Sequence, residues 1–321
     1  MKPKIVFADS FNVTEACRKK MEELGNIVEL TLDAREKFIT ETEDADIIIA
    51  EYQEVDAGII ANAKKLKGVV VYGVGTNHID LDAAAKAGVV VANTRGANAE
   101  AVAELTFSLL LNCVRRTCQA NAYVKGKKWR SADSGQLPPE FTGTELAGKF
   151  LAIIGLGEIG RRVARIGKGF AMEIGFFDPF VSAEMAAKLS ITPYANIDDL
   201  LAAADIVSVH APLTSATRNL LNAERLKLLR KSAVLVVTSR GGIVDEEALA
   251  AMLANGDIAG AGLDVFAQEP VALNSRLLEL ENAVVTPHMA ASTYESVVNV
   301  SEALVSITTA ILKGEDTEHI G

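Results

Sequence analysis

The stretch from residue 150 to residue 178 constrains the fold more than any other part of the chain. A short apolar run, Phe150–Ile154, leads into Gly155-Leu156-Gly157-Glu158-Ile159-Gly160, and apolar residues at helical spacing follow. A second apolar run ends at Asp178, which lies 178 − 155 = 23 residues after the first glycine. This is close to the spacing of an acid that accepts hydrogen bonds from an adenosine ribose. Strand, glycine turn, helix and acid in this order are typical of a dinucleotide-binding βαβ unit.

Each glycine of the pattern has a physical reason. Gly155 permits the tight turn, Gly157 lets the backbone approach a pyrophosphate, and Gly160 lets helix and strand pack closely. The helix that follows directs free N–H groups and its positive dipole end towards the phosphates. The alternative is a glycine-rich turn without a ligand, and the complete context argues against it.

Apolar runs alternate with helical patterns along the whole chain. Predicted strands before the glycine pattern are residues 4–8, 27–30, 47–50, 69–71 and 89–92, and those after it are 174–177, 206–209, 234–237, 260–263 and 283–286. This alternation predicts an α/β fold with parallel sheets covered on both faces. A helical segment from Asn98 to about Val124 separates the two series and is predicted to connect two domains. The last helical pattern, residues 292–312, is expected to pack back on the first domain, and residues 126–145 form an irregular excursion.

Charge and composition limit the partners. A net charge of −10 and a pI near 5.1 argue against nucleic acid and anionic membranes. The N-terminal residues show no signal-peptide core, and no apolar stretch is expected to approach the roughly 18 residues of a membrane span. Cys17, Cys113 and Cys118 cannot all pair and lack metal-ligand spacing, so we predict no metal site and reduced, buried thiols in a cytoplasmic protein. Cys113 lies in an apolar run, which disfavours it as a nucleophile.

The four histidines are candidates for the proton donor and acceptor that a dinucleotide oxidoreductase needs. His319 lies in a charged tail and His78 follows a glycine-rich turn. His210 and His288 follow predicted strands, and ligands bind at the carboxyl ends of parallel strands. Position therefore favours His210 and His288, although either can instead be a hydrogen-bonded structural histidine.

Two charged residues also follow predicted strands. Arg240 comes after residues 234–237, and a guanidinium there can bind a carboxylate through two hydrogen bonds. Glu269 follows the strand at 260–263, and a carboxylate beside an imidazole would stabilise the imidazolium. The alternative for Glu269 is a solvated loop acid.

Five motifs occur in the order found in one enzyme family. They are Gly155–Gly160, His210-Ala211-Pro212-Leu213-Thr214, Ser239-Arg240-Gly241-Gly242-Ile243-Val244-Asp245, Leu263-Asp264-Val265-Phe266 with Glu269-Pro270, and Thr286-Pro287-His288. With Gly73-Val74-Gly75 and residues 93–104, they cover most of the chain and resemble the D-isomer-specific 2-hydroxyacid dehydrogenases.

The resemblance implies an overall organisation. It implies an α/β protein of two Rossmann-like domains with parallel sheets and an active-site cleft between them. Residues 1–98, with the C-terminal helix at 291–321, would form the substrate domain, and residues 99–290 the NAD-binding Rossmann domain. It further implies NAD as cofactor, a small 2-hydroxy or 2-keto acid as substrate, and a cytoplasmic homodimer.

The resemblance also implies site residues. Arg240 would bind the substrate carboxylate, His288 would be the acid/base, and Glu269 would be its partner. Substrate contacts would also come from residues of the glycine-rich turn, namely Val74, Gly75, Asn77 and His78. NAD contacts would come from Val74, Gly155, Gly157, Glu158, Ile159, Gly160, Asp178, His210, Ala211, Pro212, Thr238, Ser239, Arg240, Asp264, His288, Ala290 and Ala291.

Three positions depart from the family pattern. Asn77-His78 replaces a common Asp-Asn, so His78 would add a substrate contact. Arg95 replaces a frequent proline. Glu158 stands where arginine is often found beside the pyrophosphate, which leaves its backbone N–H as the expected ligand.

The substrate is predicted from the residues after the strand at 47–50. In phosphoglycerate dehydrogenases of the family basic residues follow this strand, whereas here the sequence is Glu51-Tyr52-Gln53-Glu54. A phosphate would meet repulsion there, so hydroxypyruvate or glyoxylate is expected, with Arg95 as the one nearby cation. The alternatives are a D-3-phosphoglycerate dehydrogenase and, from another class, an NAD-sensing corepressor. Formate dehydrogenases are also similar, but carry glutamine where this chain has Glu269.

Overall fold

The computed structural model describes residues 2–32, 34–129 and 138–317. The chain divides into two compact units, residues 1–100 with 292–321 (unit 1) and residues 101–291 (unit 2). His319 and residues 130–137 of the predicted excursion lie outside the described residues.

Unit 1 contains a five-stranded parallel sheet of order β2-β1-β3-β4-β5. This is the order of a doubly wound, flavodoxin-like sheet. Its strands are β1 (Lys4–Phe7), β2 (Asn26–Glu29), β3 (Ile47–Ala50), β4 (Gly68–Val71) and β5 (Val90–Asn93). Its helices are α1 (Glu15–Leu24), α2 (Arg35–Thr42), α3 (Ala57–Asn62), α4 (Leu81–Ala87) and the C-terminal α12 (Tyr294–Lys313).

Helix α12 corrects one expectation from the sequence. By length and composition, its 20 residues are long and apolar enough to cross a membrane. The expectation that no stretch approaches that length is therefore wrong. Val300, Leu304 and Ile311 of this helix are buried in one cluster with Ile5 and Val70 of the sheet. The apolar side of α12 thus belongs to the core of unit 1.

Unit 2 contains a seven-stranded parallel sheet of order β12-β11-β10-β9-β6-β7-β8. This order is that of a Rossmann fold, in which two βαβ halves meet between β6 and β9 and bind ligands at that point. Its strands are β6 (Phe150–Ile154), β7 (Glu173–Phe177), β8 (Thr192–Pro193), β9 (Ile206–Val209), β10 (Val234–Val237), β11 (Gly260–Leu263) and β12 (Ala283–Val285). Its helices are α5 (Ala99–Arg115, beginning at the unit boundary), α6 (Thr117–Lys125), α7 (Glu158–Gly169), α8 (Ala183–Leu189), α9 (Ile197–Ala203), α10 (Ala223–Leu226) and α11 (Glu246–Asn255), with 3-10 helices at Pro139–Phe141 and Arg276–Glu279.

The predicted long helix between the two series is in fact two helices, α5 and α6. The helix is interrupted at Arg116, whose φ of 50° is left-handed. The side-chain oxygen of Asn112 accepts hydrogen bonds from the Thr117 hydroxyl at 2.5 Å and the Cys118 N–H at 2.9 Å. Asn112 therefore caps the first turn of α6 and stabilises the break.

Candidate active site

The glycine turn after β6 lies directly against the chain after β9. Gly155 has a φ of 91°, and a Cβ at this position would lie 2.6 Å from the Ala211 backbone nitrogen. A Cβ on Gly160 would lie 2.2 Å from the Gly155 carbonyl oxygen, so α7 packs onto the turn without room for a side chain. A Cβ on Gly157 would meet nothing within 4 Å. The backbone at Gly157, the N-cap of α7, therefore faces open space that a phosphate group can enter.

Two acids flank this turn in different ways. Asp178 follows β7, and its carboxylate accepts from Leu156 N–H at 2.8 Å and Phe180 N–H at 2.9 Å. Asp178 is thereby held against the glycine turn, where an adenosine ribose is expected. The Glu158 carboxylate instead contacts Arg162 of its own helix at 2.7 Å. This arrangement supports the backbone of Glu158, rather than its carboxylate, as the ligand.

Buried polar atoms at the ends of two neighbouring strands support a bound polar group. Within the described part of the chain, the Ser239 hydroxyl after β10 and His210 Nδ1 after β9 have no hydrogen-bond partner. Thr238 bonds to the buried Thr106 hydroxyl at 2.9 Å. Buried polar groups without partners are rare and call for a ligand or water. Together with the space at Gly157, these atoms fit a dinucleotide lying across the carboxyl ends of β6, β9 and β10.

The structure distinguishes between His210 and His288, the two histidines that the sequence left as candidates for the acid/base. His210 Nε2 lies 2.7 Å from the Ser208 hydroxyl, and burial lowers the pKa of His210 to about 3. His210 is therefore neutral at physiological pH and is unsuited to donate protons there. His288 Nδ1 lies 2.6 Å from Glu269 Oε2, as an acid/base with a carboxylate partner requires.

The buried Asp264 positions His288. Its carboxylate accepts from the Thr286 hydroxyl at 2.6 Å, Met289 N–H at 2.9 Å and Ala290 N–H at 2.8 Å. The Asp264 carbonyl accepts from His288 N–H at 2.8 Å. His288 itself has a φ of 51°, an uncommon conformation for a residue with a side chain. Four hydrogen bonds thus hold the histidine in a conformation that it would rarely adopt alone.

Glu269 is anchored at both oxygens. Oε1 accepts from Phe266 N–H at 2.9 Å, and Oε2 contacts His288. Burial acts to raise the pKa of Glu269, but these hydrogen bonds and the positive charges of His288 and Arg240 outweigh it and lower the pKa. Glu269 is therefore a carboxylate at neutral pH, not the solvated loop acid of the alternative.

Arg240 lies in the loop after β10, beside the turn that carries Glu269. Its Nη1 donates to the Ser239 carbonyl at 2.8 Å. A Cβ on Gly241 would lie 1.9 Å from the Phe266 carbonyl carbon, so the two loops are in backbone contact. The structure thus brings Arg240, Glu269 and His288 together at the carboxyl ends of β10, β11 and β12.

The remaining predicted substrate residues lie in unit 1, in the loop after β4. Gly73 N–H donates to the Thr94 hydroxyl at 2.8 Å, and the Asn93 side chain donates to the Val74 carbonyl at 2.7 Å. Val55 N–H donates to the His78 carbonyl at 2.8 Å. These bonds order the loop, which also carries the other predicted substrate contacts, Gly75 and Asn77.

Two acids that the sequence analysis did not single out have defined contacts. The Asp9 carboxylate, 4% exposed, accepts N–H groups of the turn after β3. The Glu246 carboxylate accepts from Ala267 N–H. Glu246 follows Asp245, which caps α11. From the sequence alone, Glu246 therefore looks like one of the acids that commonly stabilise a helix N-terminus.

The cysteines differ in exposure. Cys17 is buried, Cys113 is half-buried and Cys118 is exposed, so the prediction of three buried thiols is wrong for Cys118. It lies in the first turn of α6 on the surface. Burial raises the pKa of Cys113 to about 12, so this thiol is inert. Among the described residues, no three His, Cys, Asp or Glu side chains are placed to hold a metal ion.

Known proteins are similar to this chain over most of its length. The family described as D-isomer specific 2-hydroxyacid dehydrogenase, NAD binding domain, matches residues 107–290. The chain is 39% identical over 262 residues to a glyoxylate reductase of Thermococcus litoralis, covering 82% of this chain and 78% of that protein. It is 36% identical over 318 residues to a D-3-phosphoglycerate dehydrogenase of Methanocaldococcus jannaschii, covering 99% of this chain and 59% of that protein.

A solved structure extends the comparison to the fold. The NADPH-dependent glyoxylate/hydroxypyruvate reductase of Sinorhizobium meliloti, determined with NADP and malonate, superimposes with a TM-score of 0.87 at 27% identity. The match covers 99% of this chain and 96% of that one.

The chain belongs to the D-isomer-specific 2-hydroxyacid dehydrogenases. It is an NAD-dependent oxidoreductase that interconverts a 2-hydroxy acid and its 2-keto acid. The predicted family, α/β fold, enzyme class and cofactor are thereby confirmed.

Proposed function

We propose that this enzyme reduces a small unphosphorylated 2-keto acid, such as glyoxylate or hydroxypyruvate, to the D-2-hydroxy acid. The 2.6 Å contact between His288 Nδ1 and Glu269 Oε2 carries the proposal for the chemistry. Because Glu269 engages Nδ1, His288 would donate the proton to the keto oxygen from Nε2. When bound, NADH supplies the hydride.

Arg240 would bind and orient the substrate carboxylate. Its guanidinium can make two parallel hydrogen bonds to a carboxylate, which fixes the direction of the keto group. The ordered loop at Val74, Gly75, Asn77 and His78 is proposed to contribute further substrate contacts. The nicotinamide end of the cofactor is proposed to lie near Thr238 and Asp264.

The turn after β3 supports the preference for an unphosphorylated substrate. The Asp9 carboxylate accepts from the N–H groups of Glu51 at 2.7 Å and of Tyr52 and Gln53 at 3.2 Å. A buried carboxylate therefore adds to the negative charge of Glu51 and Glu54. A phosphate carries about −1.5 to −2 charges near neutral pH and requires cations in its pocket.

One cation near this turn could not be identified from the sequence. Arg35 of α2 donates to the Glu54 carbonyl, and its Nη2 lies 2.6 Å from Asp56 Oδ2. The guanidinium is thus already paired with a carboxylate. A substrate phosphate would have to compete with Asp56 for it.

D-3-phosphoglycerate dehydrogenase is the second candidate. It is favoured by the Methanocaldococcus relative, whose match spans 99% of this chain. For this activity Arg95, which is exposed, would have to supply the phosphate-binding cation. The acids around the turn after β3 favour the first candidate.

A homodimer in the cytoplasm is proposed from the family resemblance. Light scattering of the purified protein tests the dimer, with twice the 34.1 kDa chain mass expected. A monomer would contradict it.

The substrate proposal is tested by following the loss of NADH absorbance with glyoxylate, hydroxypyruvate and 3-phosphohydroxypyruvate. We expect the highest kcat/KM with one of the two unphosphorylated acids. A kcat/KM about tenfold higher for the phosphorylated acid, a gap of about 1.4 kcal/mol, would overturn the proposal. Arg95→Ala and Arg35→Ala, compared in that case, would show which cation binds the phosphate.

A further inference from the structure

Glu246 lies outside the proposed catalytic residues but contacts the turn that carries one of them. It is in the first turn of α11, six residues after Arg240, and its carboxylate accepts from Ala267 N–H. Ala267 is the central part of the turn from Phe266 to Glu269. The start of α11 thus holds this turn through a side-chain hydrogen bond.

The position of Glu246 is itself well defined. Asp245 Oδ1 accepts from Ala248 N–H at 3.0 Å and caps α11. Asp245 N–H donates to the Leu221 carbonyl at 3.0 Å, next to the bridge between Leu221 and Val244. The start of α11 is therefore a rigid point from which a side chain can hold a loop.

The Phe266 side chain anchors the first residue of the turn in the core of unit 2. Phe266 N–H donates to Glu269 within the turn itself. On the other side, Gly241 is in backbone contact with Phe266 and Ala267. The Glu246–Ala267 hydrogen bond and the Gly241 contact, together with the buried Phe266 side chain, therefore set where the turn lies, and hence where Glu269 meets His288.

We propose that Glu246 is a positioning residue for the reaction: by holding Ala267 N–H, it keeps Glu269 within hydrogen-bond distance of His288. The inference rests on the proposed roles of Glu269 and His288. The length of the Glu246 side chain is the property that matters, because the carboxylate must reach Ala267 N–H from the first turn of α11.

The surroundings of Glu246 disfavour its negative charge. Burial raises the pKa of Glu246, the Ala267 N–H lowers it, and the negative charges of Glu269 and Glu247 raise it further. The charged groups around these loops are Asp245 and Glu247 on α11, with Arg240, Glu269 and His288 on the loops packed beside it. A neutral residue of the same length should therefore be tolerated.

The test compares Glu246→Asp, which keeps the charge but is one methylene shorter, with Glu246→Gln, which keeps the length and a hydrogen-bond acceptor. Acids are favourable in the first turn of a helix, so the aspartate variant should fold. Glu247→Asp and Glu247→Gln make the same changes at the adjacent exposed acid and serve as controls.

We expect Glu246→Asp to lower kcat about 10- to 100-fold, the range for a slightly misplaced catalytic group, with KM for NADH unchanged. The high-pH limb of its reduction profile should move to lower pH, because the imidazolium loses its carboxylate partner. Glu246→Gln should retain kcat within about threefold, since a neutral acceptor keeps a weaker form of the bond.

Three results would overturn the inference. They are wild-type kcat in Glu246→Asp, equal losses in the Asp and Gln variants, and a lower melting temperature with an unshifted pH profile. The assay uses whichever 2-keto acid the wild type reduces fastest. If the substrate proposal is wrong, the substrate comparison with the wild-type enzyme shows it. If the positioning role of Glu246 is wrong, only the comparison between the variants shows it.

Discussion

The hydrogen bonds accepted by Asp264 predict a large effect for a single change of atom. Asp264→Asn replaces a fully buried carboxylate, which accepts three hydrogen bonds, by an amide with one acceptor oxygen. The amide oxygen can replace Oδ1 and keep the bonds from Thr286 and Met289. The amide NH₂ then faces the Ala290 N–H, donor against donor.

The magnitude follows from that one lost bond. A hydrogen bond to a charged group contributes about 1.5–3 kcal/mol, and the Ala290 N–H would be left buried without an acceptor. For a domain of this size the loss corresponds to a fall in melting temperature of about 3–12 °C. Because the same bonds hold the His288 segment, kcat should fall about 10- to 100-fold as well.

Thermal unfolding and steady-state kinetics of the purified variant check both effects. Asp257→Asn makes the same change at an exposed acid just before β11 and should alter neither quantity. An Asp264→Asn enzyme with the melting temperature and kcat of the wild type would refute the reasoning that Asp264 holds His288 in place.

Three further predictions concern other residues of unit 2. His210 has a folded pKa of about 3 and an ordinary value of 6.5, so only the unfolded chain binds its proton between these values. The free energy of unfolding should therefore fall by up to about 1.4 kcal/mol per pH unit as pH drops through this window. Urea unfolding at pH 7 and pH 5 should show a smaller decrease for His210→Asn, and equal decreases would contradict the assignment. Arg240→Lys should mainly raise KM for the keto acid, because an ammonium cannot reproduce the two-bond contact; an unchanged KM in initial-rate assays would show that Arg240 does not bind the carboxylate. Asp178 should favour NADH over NADPH by repelling a 2′-phosphate, and equal kcat/KM values for the two cofactors would exclude this role.

The parts of the structure that depend on local pattern could be predicted from the sequence. Strands β3, β6, β9 and β10 lie at the predicted residues, because runs rich in Val, Ile and Leu bounded by polar turns specify buried parallel strands. The glycine turn was predictable for the same reason, since each glycine answers a separate steric requirement. Strand β8 has two residues and carries no such pattern.

What the sequence could not predict depends on contacts between distant residues. Arg35 reaches the turn after β3 from α2, 21 residues before its partner Asp56. Asp9 binds a turn more than 40 residues away. The choice between His210 and His288 required the burial of one and the carboxylate partner of the other, and neither is a property of the local sequence.

The pH dependence of reduction by Glu269→Gln tests the central claim most directly. The contact that lowers the pKa of Glu269 involves protonated His288, so carboxylate and imidazolium stabilise one another. Glutamine at this position carries no charge to stabilise the imidazolium, so the high-pH limb of the kcat profile should move to lower pH relative to the wild type. A limb at the same pH in both enzymes would contradict the assignment of His288 and Glu269 as the acid/base pair.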